Sequence, residues 1–373
     1  MERRRRKKIL FLIHDLGQGG AEKVLVNLVN RMDKSLFNVT VMALFGGGIN
    51  EQFLDKDIKY LKVYNRMIPG NSRIMRLFSP AFLHKWMIRG RYDIEVSYLE
   101  GPSARVIAGC PDQETKKVSW IHVEQHTKAK FSRPFRNYKE AVTCYQAFDR
   151  TIFVSETVKE DFLKLIDEKI PCEVIHNSIE ADTIRRKAEM TAELEFDKTY
   201  INISAMGSLK PSKGFERLIN IAGRLHDEGF KFRLYILGKG PLENQLKTQI
   251  RNRHLESTVF LPGYFVNPYP LVKNSDLFVC SSFAEGYSTA VTEALILGIP
   301  VCTVEVSGMR ELLGDNQYGM ITRNDEEALY EAIRTLLNSR EELLTYTEKA
   351  VVRGAMLETE DTVKKVQDML LSL

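Results

Sequence analysis

Short apolar runs alternate with amphipathic stretches along most of the chain. Lys8 to Ile13, Val39 to Leu44, Ile94 to Tyr98, Val118 to Ile121, Thr151 to Val154 and Glu173 to Ile175 are apolar enough to predict buried parallel strands. A strand covered on both faces loses the polar–apolar alternation of a half-exposed one. The amphipathic stretches between them complete a βαβ rhythm. A polar, charged stretch from Glu180 to Lys198 interrupts it, and the rhythm resumes with Tyr200 to Met206, Phe232 to Leu237, Val259 to Leu261, Leu277 to Cys280 and Pro300 to Val304. The tail from Glu341 to Leu373 reads as helical, with Val363, Val366, Met369 and Leu370 at the spacing of one helix face.

The two halves open alike. "ILFLIHDLGQGGAEKVLVNLV" and "YINISAMGSLKPSKGFERLINIA" each read as a strand, a glycine-containing loop and an amphipathic helix. This predicts an α/β chain of two Rossmann-like, doubly wound parallel-sheet domains facing a central cleft, with ligand at the carboxyl ends of the strands. The expected boundaries are 1–180 for an N-terminal Rossmann-like domain, 181–198 for a linker and 199–355 for a C-terminal Rossmann-like domain. A C-terminal helix over 356–373 is expected to pack back on the N-terminal domain.

At 373 residues, with 44% hydrophobic and 27% charged residues, the chain suits two cored globular domains and excludes a disordered or fibrous protein. Five cysteines, odd in number, widely spaced and never in a Cys-x-x-Cys pair, argue against a disulfide framework or a zinc site and for a reduced, cytoplasmic protein. The start, "MERRRRKKILFLIHDLGQGG", has a basic stretch before an apolar one, but the apolar run ends at His14-Asp15 and reads as a first strand rather than a signal peptide. No run approaches the roughly 18 apolar residues that a membrane span requires. Charge is uneven: residues 1–199 hold 34 Lys and Arg against 27 Asp and Glu, and residues 200–373 hold 19 against 22.

Three loops carry candidate chemistry. In "LGQGGAEKV", Gly17, Gly19 and Gly20 precede a helix, but Glu22 stands where a dinucleotide fingerprint needs Gly or Ala. Those glycines serve either a tight turn or a phosphate approached by helix amides. In "MGSLKPSKGFERL", Lys210 and Lys213 follow a strand without Walker A spacing, and are either solvated charges or phosphate ligands. In "FAEGYSTAVTEALILGIPV", a helix is expected to start with Ser288 as N-cap, leaving the amides of Thr289 and Ala290 for an anion. Glu285 and Glu293 bracket that helix start. Each suits separate sugar hydroxyls, and taken alone each also suits an ordinary loop or surface carboxylate.

On these residues the sequence resembles glycosyltransferase family 4, the retaining, GT-B-fold, nucleotide-sugar-dependent enzymes. "EGYSTAVTEALILGIPV" is similar to the family's E-x7-E signature, and "GGAEKVLVNL", "FVSETVKEDF", "VIHNSIE", "GSLKPSKGF", "YILGKGPLENQL" and "VFLPGY" stand in the family's order. Its wording is most similar to bacterial exopolysaccharide and capsule enzymes. The resemblance implies that Lys213 binds the donor diphosphate, Glu293 accepts the ribose hydroxyls and Glu285 holds the donor sugar. It implies that the backbone of Gly286, Tyr287, Ser288, Thr289 and Ala290 touches sugar and phosphates, with Gly207, Ser208, Gly238 and Tyr264 completing the donor site. Gly19 and Gly20 would close over it, and His122, in "SWIHVEQH", would stand beside the transferred sugar. Glu285, Lys213 and His122 are thus the catalytic candidates. His126 is either the neighbour of His122 or a surface residue.

The implied activity is transfer of a sugar from a UDP- or GDP-type donor to a carbohydrate or lipid-linked acceptor in cell-surface polysaccharide synthesis. No cofactor, no metal and no nucleic-acid partner is expected. The only Asp-x-Asp, Asp55 to Asp57, reads as a solvated turn. One departure is Ser208, where the family commonly has Arg; Lys210 is the candidate substitute, and the alternatives are a catalytically idle sugar- or nucleotide-binding partner protein and a glycoside phosphorylase on the same fold. Finally, Lys62 to Tyr92 holds seven Lys and Arg, no acidic residue, and Phe78, Phe82 and Trp86. That composition suits either peripheral attachment to an anionic membrane surface at the inner face of the plasma membrane or a helical pair packed on the first domain with solvated charges.

Overall fold

The computed structural model describes residues 5–66, 71–166, 169–358 and 361–373. The chain divides into two compact units, Met1–Ser178 with Asp361–Leu373, and Ile179–Glu360. The first holds β1 (Lys7–Ile13), β2 (Phe37–Phe45), β3 (Lys59–Tyr64), β4 (Ile94–Ser97), β5 (Lys116–Ile121), β6 (Arg150–Phe153) and β7 (Cys172–Val174). They pair in the order β3-β2-β1-β4-β5-β6-β7, every pair parallel. The second holds β8 (Ile201–Met206), β9 (Phe232–Leu237), β10 (Val259–Gly263), β11 (Leu277–Cys280), β12 (Val301–Val304) and β13 (Met320–Thr322), in the parallel order β10-β9-β8-β11-β12-β13.

In both sheets the first strand lies inside and the chain reverses direction between it and the fourth. Loops leaving two neighbouring strands on opposite sides of such a reversal diverge and leave a crevice. In the first unit the crevice lies beyond β1 and β4, in the second beyond β8 and β11. Buried aliphatic runs hold both sheets: Ile9 to Ile13 are fully buried in β1, and Ile203, Leu234, Ile236, Leu277 and Val279 anchor the second core. All the expected strands form, every end within two residues of its expected place and Phe232–Leu237 and Leu277–Cys280 unchanged. β13 was not anticipated, because three half-buried residues at a sheet edge carry no periodic signal.

The stretch expected as a linker, 181–198, is not one. Ala181–Ala188 is a helix of the second unit, and its buried Ala181, Ile184 and Ala188 pack with Tyr269 and Ile296. Three apolar positions on one face of an otherwise charged helix suffice to bury it, and they are too few to stand out in the sequence. The C-terminal tail forms two helices, Arg340–Glu358 and Thr362–Ser372. The second belongs to the first unit, burying Val363, Val366, Met369 and Leu370. Lys7 Nζ donates to the carbonyl of Leu370, and Gln367 accepts the amide of Asp33. Among the described residues no helix is long and apolar enough to cross a membrane.

Candidate active site

In the second unit the loops after β8 and β11 meet at the reversal point. The loop after β8 runs through Gly207 and Ser208 into a short 3-10 turn, Pro211–Lys213, before the helix Phe215–Asp227. The Lys213 ammonium lies 2.6 Å from Glu285 Oε1, and the same oxygen accepts the hydroxyl of Ser282 at 2.6 Å. Burial, the largest single influence, would lower the Lys213 pKa, but the charge and hydrogen bond of Glu285 together with the neighbouring Cys280 hold it above the usual lysine value. Lys213 is therefore a fixed cation.

The backbone around this pair is closely built. Ser281 donates its hydroxyl to the carbonyl of Lys213, and Ser212 accepts the amide of Phe283. Gly207 donates to Leu237, and Gly238 to Gly263, so the loops after β8, β9 and β10 stand side by side. Gly238 has φ +148°, and a Cβ there would fall on the carbonyl oxygen of Gly207. The alkyl chain of Lys213 covers Gly207, Ser208 is half-buried, and Tyr264 follows β10 directly.

The helix Thr289–Ile296 begins where the sequence places it, with the Ser288 hydroxyl accepting the amide of Val291. That cap leaves the amides of Thr289 and Ala290 out of its hydrogen bond, at the positive end of the helix dipole. Glu293, one turn in, is buried rather than a surface residue, and the Tyr269 hydroxyl donates to its Oε1 at 3.1 Å. A buried carboxylate fixed in place by a phenol is preorganised as a hydrogen-bond acceptor. The structure thus gathers Gly207, Ser208, Lys213, Gly238, Tyr264, Glu285–Ala290 and Glu293 at the carboxyl end of one sheet. Lys210 is exposed.

The remaining candidates belong to the first unit. Gly19 caps the helix Gly20–Arg31, with the Glu22 carboxylate folded over it. His122, directly after β5, is 6% exposed, and its ring lies 4.9 Å from that of Tyr98. Burial pushes its pKa down to about 3, against a partial offset from a hydrogen bond to the Tyr98 backbone. Its Nε2 is buried without a hydrogen-bond partner among the described residues. His122 is consequently a neutral ring presenting one unsatisfied nitrogen. His126 is half-exposed, with φ +58°, and its amide donates to Asp161.

Three positioning residues escaped the sequence reading. Arg217, 5% exposed, donates to the carbonyls of Ser281 and Ser282 and to Asn324, pinning the loop that carries Glu285. Its only sequence signal is a lone arginine beside the apolar positions Phe215, Leu218 and Ile219. Tyr269 holds Glu293. Glu100, after β4, accepts the amide of His122 at 3.0 Å, and burial raises its pKa. The Asp55–Asp57 segment, by contrast, is met at the surface by Lys34, 3.9 Å from Asp55 and 3.5 Å from Asp57.

Comparison with known proteins decides the family. The profile described as Glycosyltransferase Family 4 matches residues 18–183, and that described as Glycosyl transferases group 1 matches residues 186–352. The chain belongs to the family 4 glycosyltransferases. This glycosyltransferase is 27% identical, over 98% of both chains, to the N-acetylgalactosamine-N,N'-diacetylbacillosaminyl-diphospho-undecaprenol 4-alpha-N-acetylgalactosaminyltransferase of Campylobacter jejuni. It is 25% identical, over 89% of both chains, to a second Campylobacter jejuni enzyme, an alpha-1,4-N-acetyl-D-galactosaminyltransferase named for a diNAcBac-PP-undecaprenol-linked substrate. Among solved structures, Anabaena HepE in complex with UDP and glucose covers 99% of this chain and 100% of its own, at a TM-score of 0.76 and 18% identity. Staphylococcus aureus TarM reaches 0.72 at 16% identity, covering 98% and 99%. These neighbours establish the GT-B fold of two Rossmann-like domains.

Proposed function

We propose that this glycosyltransferase moves a sugar from a UDP- or GDP-type nucleotide donor, with retention of anomeric configuration, to a lipid-linked carbohydrate in cell-surface polysaccharide synthesis. The observation that carries the proposal is the convergence of Lys213, Glu285 and the open end of the Thr289–Ile296 helix at one sheet reversal. Catalysis here is stabilisation of the charge that develops on the departing diphosphate. Lys213 and the helix amides supply it, Glu285 receives the sugar hydroxyls and Glu293 the ribose hydroxyls. His122 offers Nε2 to the transferred sugar. Because the other ring nitrogen bonds to the Tyr98 backbone carbonyl, Nε2 acts as an acceptor.

No divalent metal takes part in this scheme. With Ser208 in place of arginine, the cations left to the diphosphate are Lys213 and the exposed Lys210. Arg217 is committed to backbone carbonyls.

The lipid-linked acceptor is supported by the names of the two Campylobacter relatives and by the surface of the first unit. Ile74, Leu77, Phe78, Phe82 and Trp86 are exposed, Leu77 by 75%, while Met75, Leu83 and Met87 pack inward. Exposed Arg73, Lys85 and Arg89 and half-buried Arg76 stand among them. The turn is braced from below: buried Arg105 pairs with Glu140 and donates to the carbonyls of Met75 and Phe78, and Arg136 donates to those of Arg76 and Leu77. A fixed apolar and basic surface suits peripheral attachment to an anionic membrane. Residues 67–70 of this basic stretch lie outside the described residues.

The deciding experiment incubates the protein with a panel of UDP- and GDP-sugars and a polyprenyl-diphosphate-linked oligosaccharide. Acceptor-dependent release of nucleoside diphosphate, with product of unchanged anomeric configuration by NMR, is the expected result. No release with any donor would favour the idle partner protein, and sugar phosphate formed from the oligosaccharide in a parallel incubation with inorganic phosphate would favour the phosphorylase.

A further inference from the structure

Away from the sheet reversal, the first unit buries three side chains that the proposed chemistry does not use. His84 lies in the last turn of the helix Pro80–Met87, Glu95 is the second residue of β4, and Cys110 follows the helix Pro102–Ile107. They are 7%, 2% and 7% exposed. His84 Nε2 is 2.8 Å from Glu95 Oε2, and one ligand atom from each of the three residues lies within 4.8 Å of the other two.

We propose that His84, Glu95 and Cys110 form a zinc site. Zinc bonds of about 2.0–2.3 Å place tetrahedral ligand atoms roughly 3.3–3.8 Å apart, so the three need only small side-chain adjustments to surround one ion. An imidazole, a carboxylate and a thiolate form a mixed set that suits zinc and discriminates against magnesium and calcium, which take oxygen ligands. Charge also matches. One Zn²⁺ with one carboxylate and one thiolate sums to zero around a neutral imidazole, which removes the main obstacle to burying a divalent ion.

The frame that holds the ligands is rigid. Gly109, beside Cys110, packs against the Pro80 backbone so closely that a Cβ would strike the Pro80 carbonyl. The absence of paired cysteines argues only against sites built from Cys-x-x-Cys. Here the ligands come from three elements, and no sequence spacing announces them. With three protein ligands, the fourth tetrahedral position falls to water. The ion would fasten to β4 the helix that carries the exposed Phe82 and Trp86.

A second cluster, Glu124, His126 and Asp161, is a weaker candidate: His126 is exposed, and both Asp161 oxygens already accept backbone amides. The test uses the full chain without a histidine tag. Equilibrium dialysis against Zn²⁺ should give one ion per chain, and Co²⁺ should produce a near-ultraviolet thiolate-to-cobalt charge-transfer band with the visible bands of a tetrahedral ion. Saturating Zn²⁺ should raise the Tm by roughly 5 °C. Cys110→Ser should abolish the cobalt band, and His126→Gln should leave it intact. Absence of stoichiometric binding and of the band in the wild-type chain, which needs no variant to fold, would overturn the proposal. Loss of binding in His126→Gln alone would also overturn it, by moving the site to the exposed cluster.

Discussion

Lys213 and Glu285 form a 2.6 Å ion pair that joins the loop after β8 to the loop after β11 across the sheet reversal. In the proposed function these two residues serve different parts of one donor, the diphosphate and the sugar. Their pairing answers how a carboxylate can stand beside an anion site: the lysine neutralises it and, with Ser282, fixes its position. Lys213→Ala should abolish transfer and weaken donor binding by more than the ~1 kcal/mol of an exposed ion pair, because a charge-assisted bond in a partly buried site is stronger. Calorimetric titration with the nucleoside diphosphate, alongside turnover, checks both. Near-wild-type turnover would remove Lys213 from the site.

In the proposed ribose role the contacts of Glu293 are alike in ground and transition states, so Glu293→Ala should raise KM for the donor more than it lowers kcat. Tyr269→Phe removes the phenol that holds the carboxylate without removing the carboxylate, and should show the same pattern at a fraction of the size, about 1 kcal/mol or less. A large loss of kcat at unchanged KM in either variant would contradict the ribose role.

What the sequence disclosed and what it hid have a common cause. Patterns confined to one element were legible: the apolar runs of β1 and β8, the Ser288 cap, and the spacing of Val363, Val366, Met369 and Leu370. Features made by packing between elements were not. The Ala181–Ala188 helix depends on a pocket formed with Tyr269 and Ile296, and Arg217 acquires its role only because the Ser281 and Ser282 carbonyls turn toward it. Glu293 could be placed on a helix from its spacing, but not its burial or its hydrogen bond to Tyr269, 24 positions away.

His122 gives a pH signature independent of activity. Its folded pKa, about 3, lies below the ordinary histidine value of 6.5, so below pH 6.5 the unfolded chain binds a proton that the native protein does not. Stability is therefore lost as pH falls through the window from 6.5 toward 3, at up to ~1.4 kcal/mol per pH unit from this one group. His122→Gln should flatten that part of the denaturation profile by about one proton. An unchanged slope between pH 6.5 and 4 would show that the ring titrates normally.

Transfer should proceed in chelator. The Asp55–Asp57 pair is held by Lys34 at the surface, and the proposed scheme gives the diphosphate to Lys213 and the helix amides without a metal ion. Initial rates measured within minutes of adding excess EDTA should match those without it. Loss of activity that magnesium or manganese restores would assign the diphosphate to a metal ion.

The outward face of the segment from Arg73 to Arg89 combines two attractions that can be separated. Each basic residue near an anionic membrane contributes about 1 kcal/mol, so changing Arg73, Arg76, Lys85 and Arg89 together to Gln should weaken binding to anionic vesicles by as much as ~4 kcal/mol at low salt, less as salt rises. Phe82→Ser with Trp86→Ser removes apolar contact instead, and should weaken binding by a factor that salt does not change. Both side chains are half-exposed, so neither change opens the core. Sedimentation with anionic and neutral vesicles at two salt concentrations reads both effects. Arg105 offers an internal control, since Arg105→Met would remove the guanidinium from Glu140, leaving it the Arg136 amide, and release the carbonyls of Met75 and Phe78. The turn would then keep only the Arg136 contacts to the carbonyls of Arg76 and Leu77, with every surface charge and ring still present, and weaker vesicle binding in that variant would show that the surface works as a fixed shape. Equal, salt-independent binding of the wild type to neutral and anionic vesicles, or binding to neither, would exclude the anionic membrane as partner.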